Sequence, residues 1–222
     1  MAGFSCLRSS VREEKISVPC GTFHLEGFLG VQEALSGKGG VICCHPHPLY
    51  GGDMDNSVVA AGIEAASREG LSTLRFNFRG VGESGGSYGE GIEERKDVKA
   101  VIDYFAARLK NDGTPMIVFG YSFGAWAGMP VAVEDPRIKG MVAVSPPLDL
   151  YDFGFLKGCR KKKLLIAGNQ DDYCPAVRLQ ELHGLLDEPK SLTIIPGADH
   201  FYSFHNSELI KPIREFFRSF QD

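Results

Sequence analysis

The sequence predicts an α/β fold: a mostly parallel, doubly wound sheet with helices on both faces, in one domain spanning residues 1–222. Three observations carry this. From residue 40 onward, short apolar runs alternate with segments of helical period. The runs are apolar at nearly every position, as in strands covered on both faces. Glycine and proline punctuate the joins.

Residues 15–19 and 22–29 read as two strands joined at Cys20-Gly21, the second carrying Phe23, Leu25 and Phe28, and they fit an added antiparallel edge. Residues 31–40 form a turn-rich loop. Gly40-Val-Ile-Cys-Cys44 is a buried strand, 56–69 a helix with Val59, Ile63 and Ala66 on one face, and Gly70 its stop. A strand at 71–78 precedes a helix at 92–109 carrying Val98, Val101, Ile102, Phe105 and Leu109. Strands follow at 116–120, 138–144, 163–167 and 192–195, with helices at 123–133 and 176–186. The last helix, 207–220, buries Leu209, Ile213, Phe216, Phe217 and Phe220, and Pro212 suggests that its regular part starts there. The segment 145–162 is too short for a separate lid, and 160–163 reads as a solvated strand entry.

Composition narrows the function classes. The 222 residues are 43% hydrophobic and 23% charged, ordinary for a globular chain. A net charge of -4 gives no electrostatic reason to expect nucleic acid or an anionic membrane as partner. Six cysteines (Cys6, Cys20, Cys43, Cys44, Cys159 and Cys174) form no CxxC pair, which suggests a reducing compartment. Neither a secretion signal nor a run of about 20 apolar residues is present, so the expectation is a cytoplasmic protein.

In open parallel sheets, ligands sit at the carboxyl ends of the strands. Three G-x-S-x-G matches occur: Gly120-Tyr-Ser-Phe-Gly124, Gly82-Glu-Ser-Gly-Gly86 and Gly85-Gly-Ser-Tyr-Gly89. Only the first lies between a strand and an immediate helix, where a sharp turn would lift a serine hydroxyl above the sheet. Ser122 is therefore the candidate nucleophile. Ser84 and Ser87 sit in a long glycine-rich run, as does Gly80-Val-Gly-Glu-Ser-Gly85, whose G-x-G-x-x-G spacing lacks the helix that a dinucleotide site requires.

A serine needs a base, and the base an orienting acid. His183, His200 and His205 follow Ser122, and His200 lies on a loop just past a strand. Asp171 is the preferred acid, four residues past its strand, with Asp172 the alternative, pointing away to cap the next helix. Asp199 is too close to its neighbour His200 to serve it. An oxyanion hole needs two backbone donors. Phe123, after the nucleophile, supplies one; His47 supplies the other, because Pro46 and Pro48 have no N–H. A metal at His45, His47, Asp53 and Asp55 is the competing reading of that loop, and it lacks the further histidines such sites use. No cofactor and no metal are expected.

Cys44-His-Pro-His-Pro-Leu-Tyr-Gly-Gly-Asp-Met-Asp-Asn, Phe76-Asn-Phe-Arg-Gly-Val-Gly-Glu-Ser, Gly120-Tyr-Ser-Phe-Gly and Gly197-Ala-Asp-His-Phe occur in that order. Together they resemble the small, lidless bacterial α/β-hydrolase-fold serine hydrolases, a dienelactone-hydrolase-like group, across about residues 16–220. The resemblance implies a Ser122–Asp171–His200 triad and an eight-stranded sheet trimmed at its start. Dienelactone hydrolases proper use a cysteine where this chain has Ser122, so their lactone substrate does not carry over. The expected function is hydrolysis of a small carboxylic ester or thioester through an acyl-enzyme. The alternatives are a peptidase on the same residues and a non-catalytic binding module. The expected partner is a small acyl substrate in a cleft that Tyr50, Tyr88, Phe153 and Phe155 could partly close.

Overall fold

A computed structural model describes residues 12–31, 38–109 and 113–221. Most of the expected loop at 31–40, and Cys6, lie outside the described residues. Eight strands join one sheet in the order β1-β2-β4-β3-β5-β6-β7-β8. They are β1 (Arg12–Cys20), β2 (Phe23–Val31), β3 (Gly40–Cys44), β4 (Ser72–Phe76), β5 (Met116–Tyr121), β6 (Ile138–Val144), β7 (Lys162–Gly168) and β8 (Lys190–Ile195). β1 pairs antiparallel with β2 and β2 with β4, while β4, β3, β5, β6, β7 and β8 run parallel. The sheet is not trimmed at its start, as the resemblance implied. β1 begins at Arg12, and its exposed polar residues pair along all of β2.

Among the described residues five helices cover it: α1 (Ser57–Arg68), α2 (Glu94–Arg108), α3 (Phe123–Glu134), α4 (Ala176–Leu185) and α5 (Asn206–Arg218). Successive side chains of a strand point to opposite faces, and both faces here are apolar. Val41, Cys43, Ile117, Phe119, Val142, Val144, Leu164 and Ile166 face α1 and α5. Ile42, Cys44, Met116, Val118, Met141, Ala143, Leu165 and Ala167 face α2, α3 and α4. The five described cysteines are buried free thiols, and Cys43 and Cys44 fall one on each face. No helix among the described residues is long and apolar enough to cross a membrane.

Several boundaries differ from the sequence pattern for physical reasons. β4 stops at Phe76, not at residue 78: the Asn77 side chain accepts from the Met54 amide and the Phe78 amide donates to His45, both in the loop after β3, and the Arg79 amide donates to Asp97. α2 begins at Glu94, since the Glu94 carboxylate turns back to accept from the amides of Gly89 and Gly91. α5 runs through Pro212 instead of starting there: burial of Leu209, Ile213, Phe216 and Phe217 offsets the hydrogen bond that proline removes. The lysines at 161–163 are not simply solvated. Lys161 caps the carbonyls of Ala132 and Asp135, Lys162 that of Ser219, and buried Lys163 that of Asp187.

One buried ion pair fixes the long loop after β4. The Asp97 carboxylate, fully buried on α2, accepts from the Arg79 amide at 3.0 Å, from Nε at 3.0 Å and from Nη2 at 2.6 Å. Removing Asp97 leaves the buried Arg79 guanidinium with the partly exposed Glu93 carboxylate, 3.1 Å from Nη1, as its one remaining ion-pair partner among the described residues. Asp97→Ala is expected to lower stability by about 3–5 kcal/mol, read as a fall in the urea midpoint at constant slope.

Candidate active site

Ser122 joins β5 to α3 with φ 53° and ψ -120°, a backbone conformation that L-residues rarely adopt. Two glycines make the turn possible. A Cβ on Gly120 would lie 2.6 Å from the Ala125 Cα, and one on Gly124 would lie 2.2 Å from the Cys44 carbonyl oxygen. The second contact seats the start of α3 directly against the loop that follows β3. The Ser122 amide is tied to the Val144 carbonyl at 2.9 Å, and its side chain stands at the carboxyl end of the sheet.

The loops after β7 and β8 are built as a pair. Gly168 packs so closely on Ala198 that a Cβ would fall 2.0 Å from its carbonyl oxygen. The amides of Asn169 and Gln170 donate to the carbonyls of Ile195 and Ala198, and the Asn169 side chain accepts from the Gly197 amide. This packing carries Asp171 alongside His200. His200 Nδ1 lies 2.9 and 3.0 Å from the two Asp171 oxygens, and Nε2 lies 3.0 Å from the Ser122 Oγ. All three residues are buried, with Ser122 and His200 each 8% exposed. The Tyr121 hydroxyl donates to the His200 carbonyl at 2.8 Å, and Tyr173 and Phe201 flank the imidazole.

Burial pushes the Asp171 carboxyl upward. The hydrogen bond and charge of His200, the Ser145 hydroxyl and the Cys174 amide outweigh that and hold it below the usual carboxylate range. The Tyr173 and Cys174 amides both donate to Oδ1, at 2.9 and 2.8 Å. An ionised carboxylate so held fixes the imidazole with its proton on Nδ1, leaving Nε2 free to take a proton from a hydroxyl.

The remaining candidates separate cleanly. Asp172 is exposed and does not cap α4, whose cap is Pro175. Asp199 accepts from the Ser203 amide, His205 engages the Ser203 carbonyl, and His183 lies on α4. Ser84 bonds the Asn77 carbonyl and the Glu26 amide, a wholly structural pair of contacts.

The loop after β3 comes to the N-terminus of α3. The His47 ring packs on Phe123 at 4.8 Å between centroids, and its Nε2 lies 3.2 Å from the Tyr88 hydroxyl. The amide of Phe123, at the first position of α3, has no acceptor within its own helix. His45 does not converge with His47 on a shared site: its ring is buried under Phe78, with both nitrogens hydrogen-bonded to backbone. Phe153 is buried and Phe155 half-buried, both against Trp126, whereas Tyr50 is 86% exposed.

Sequence reasoning missed the groups behind the site. Ser145, at the end of β6 with φ 46°, touches the Asp171 carboxylate, and its hydroxyl lies 2.8 Å from that of buried Tyr202. Neither residue belongs to a motif, and it is in the structure that positive φ, 46° at Ser145 and 54° at Tyr202, singles both out.

Burial lowers the His45 pKa to about 4. The unfolded chain takes up this proton near pH 6.5 and the folded chain only near 4, so stability is full above 6.5 and falls as pH drops toward 4. The loss is about 3 kcal/mol, with His47, lowered in the same direction by partial burial, adding to it. Urea unfolding at pH 7, 5.5 and 4.5 is expected to show this slope, and His45→Gln to flatten most of it.

Comparison with known proteins agrees with the fold. The family model described as serine aminopeptidase, S33, matches residues 51–160. An uncharacterized protein of Rickettsia prowazekii is 35% identical over 185 residues, covering 80% of this chain and 77% of the relative. The structure of an α/β serine hydrolase homologue from Coxiella burnetii is 30% identical and superposes with a TM-score of 0.83, covering 91% of this chain and 96% of that one. An α/β serine hydrolase without lid from Xanthomonas campestris shares the fold at 24% identity and a TM-score of 0.83, over 93% and 94% of the two chains. With the sheet order, the strained serine turn and a relative of this identity and coverage, the chain belongs to the α/β serine hydrolase family.

Proposed function

We propose that the protein hydrolyses small carboxylic esters or thioesters through an acyl-enzyme on Ser122. The observation that carries this reading is the continuous line from Asp171 through His200 to the Ser122 Oγ, each link about 3 Å long. His200 Nε2 takes the Ser122 proton as Oγ attacks the carbonyl carbon, and the amides of Phe123 and His47 receive the oxyanion. His200 then gives the proton to the departing alcohol or thiol. A water, deprotonated by the same nitrogen, attacks the acyl carbon, and the acid leaves as Ser122 regains its proton.

The substrate class follows from what surrounds the serine. Between β6 and β7 only a short 3₁₀ turn, Gly154–Leu156, interrupts the connection, so among the described residues this connection carries no inserted helical cover. Its rim is aromatic, with Tyr50, Tyr173 and Phe201 at 86%, 44% and 63% exposure. An open, aromatic rim suits a small acyl group better than a long lipid chain.

Amide hydrolysis is the second reading, favoured by the description of the matching family model. Rates for p-nitrophenyl acetate and butyrate, the matching thioesters, and aminoacyl p-nitroanilides separate the two. Turnover of the esters that vanishes in Ser122→Ala supports the proposal. Turnover of amides alone, or ester turnover that survives the substitution, overturns it, and no turnover of any of these substrates leaves the binding-module reading in its place.

A further inference from the structure

We infer that His45 is a positioning residue that holds the Pro46–His47 peptide in the orientation presenting the His47 amide to the oxyanion. The inference rests on the acyl-enzyme reading above and deepens it.

The argument starts from the His45 tautomer. Nε2 lies 2.9 Å from the Phe78 backbone nitrogen, whose hydrogen points at it. A backbone amide can only donate, so Nε2 must be the unprotonated acceptor and the ring proton sits on Nδ1. Nδ1 lies 2.7 Å from the Pro46 carbonyl oxygen and therefore donates to it. The ring is fully buried and packs edge-on against Phe78 at 4.7 Å, the Phe78 contact buried and the Pro46 contact part-buried.

The Pro46 carbonyl and the His47 N–H belong to one planar unit. That peptide bond is trans, since the one cis bond among the described residues is Glu188-Pro189. In a trans unit the two groups point in opposite directions, so fixing the oxygen fixes the donor. The backbone of Gly52 closes on the same carbonyl, because a Cβ there would lie 2.3 Å from the Pro46 oxygen. The His47 carbonyl in turn accepts from the amides of Tyr50 and Gly52, at 3.1 and 3.0 Å. The Pro46 and His47 carbonyls are thus both committed to holding the loop. His45 ties it to Phe78, the first turn of the loop that Arg79 and Asp97 anchor. Oxyanion stabilisation depends on donors set before the charge appears. A fixed peptide meets that demand, and a free one would not.

Two substitutions divide the ring's contacts. The carboxamide of asparagine reaches the place of Nδ1 and can still donate to the Pro46 carbonyl. That of glutamine reaches the place of Nε2 and can accept from the Phe78 amide, but loses the donor. His45→Gln is expected to lower kcat for p-nitrophenyl butyrate about 100-fold or more, the effect of losing one oxyanion donor, with KM changed less than threefold. The Ki of an alkyl boronic acid, which forms a tetrahedral adduct on the serine, should rise in proportion to the loss in kcat. His45→Asn should recover at least tenfold of that loss. A His45→Gln enzyme with more than a third of the wild-type kcat overturns the inference, as does equal impairment of both variants. Should either variant fail to fold, the wild type decides alone. Its His47 amide proton resonance should move downfield when the boronate adduct forms, and an unmoved resonance refutes the role. Fluorophosphonate labelling of Ser122 separates the two levels: a labelled serine with an insensitive His45 removes this inference only, and an unlabelled one removes both.

Discussion

Ser122→Ala is expected to lower kcat by a factor on the order of 10⁶, leaving a residual rate roughly 10³-fold above that in water. On the proposed mechanism Ser122 is the nucleophile, so its loss removes the covalent route, while the Phe123 and His47 amides assigned there to the oxyanion would still polarise a bound carbonyl. The same position should show a trade between stability and activity. With φ at 53°, Ser122 sits in strained backbone that glycine tolerates freely. Ser122→Gly should therefore be as inactive as the alanine variant yet more stable than wild type by about 1 kcal/mol, measured as a rise in Tm. A stability no higher than that of wild type would mean that the strain relieved does not exceed the unfolded-state entropy that glycine adds.

The second large effect is expected at Asp171. Asparagine there is nearly isosteric, but its amide cannot enforce a proton on the His200 Nδ1, and kcat should fall about 10⁴-fold with the fold intact. Loss of the carboxylate also leaves the Tyr173 and Cys174 amides with a weaker acceptor. Asp172→Asn is the control. Its side chain is exposed and outside the hydrogen-bonded line, so the rate should stay within about twofold of wild type. A large loss in Asp172→Asn beside a small one in Asp171→Asn would exchange the two roles.

Much of this was legible in the chain because local rules and the global fold coincide. Apolar runs such as Gly40–Cys44 and Met116–Tyr121 can only be strands covered on both sides, and each is. Gly120 and Gly124 flank the serine because backbone atoms occupy the space of their missing side chains. What escaped the pattern depends on contacts between distant segments. Pro212 reads as a helix start until the buried face of α5 is known. Lys163 reads as solvated until the Asp187 carbonyl lies 2.8 Å from its ammonium. Ser145 and Tyr202 are 57 residues apart and give no signal of meeting behind Asp171. His45 is the sharpest case. Beside His47 it resembles half of a metal site, and only the position of Phe78 reveals that both of its nitrogens serve the backbone.

Peptide mapping after brief exposure to a fluorophosphonate tests the central claim most directly. The predicted result is one adduct per chain, on the peptide containing Ser122, with labelling slowed by orders of magnitude in His200→Gln. An adduct on Ser84 or Ser87 instead, or labelling that is indifferent to His200, would contradict it.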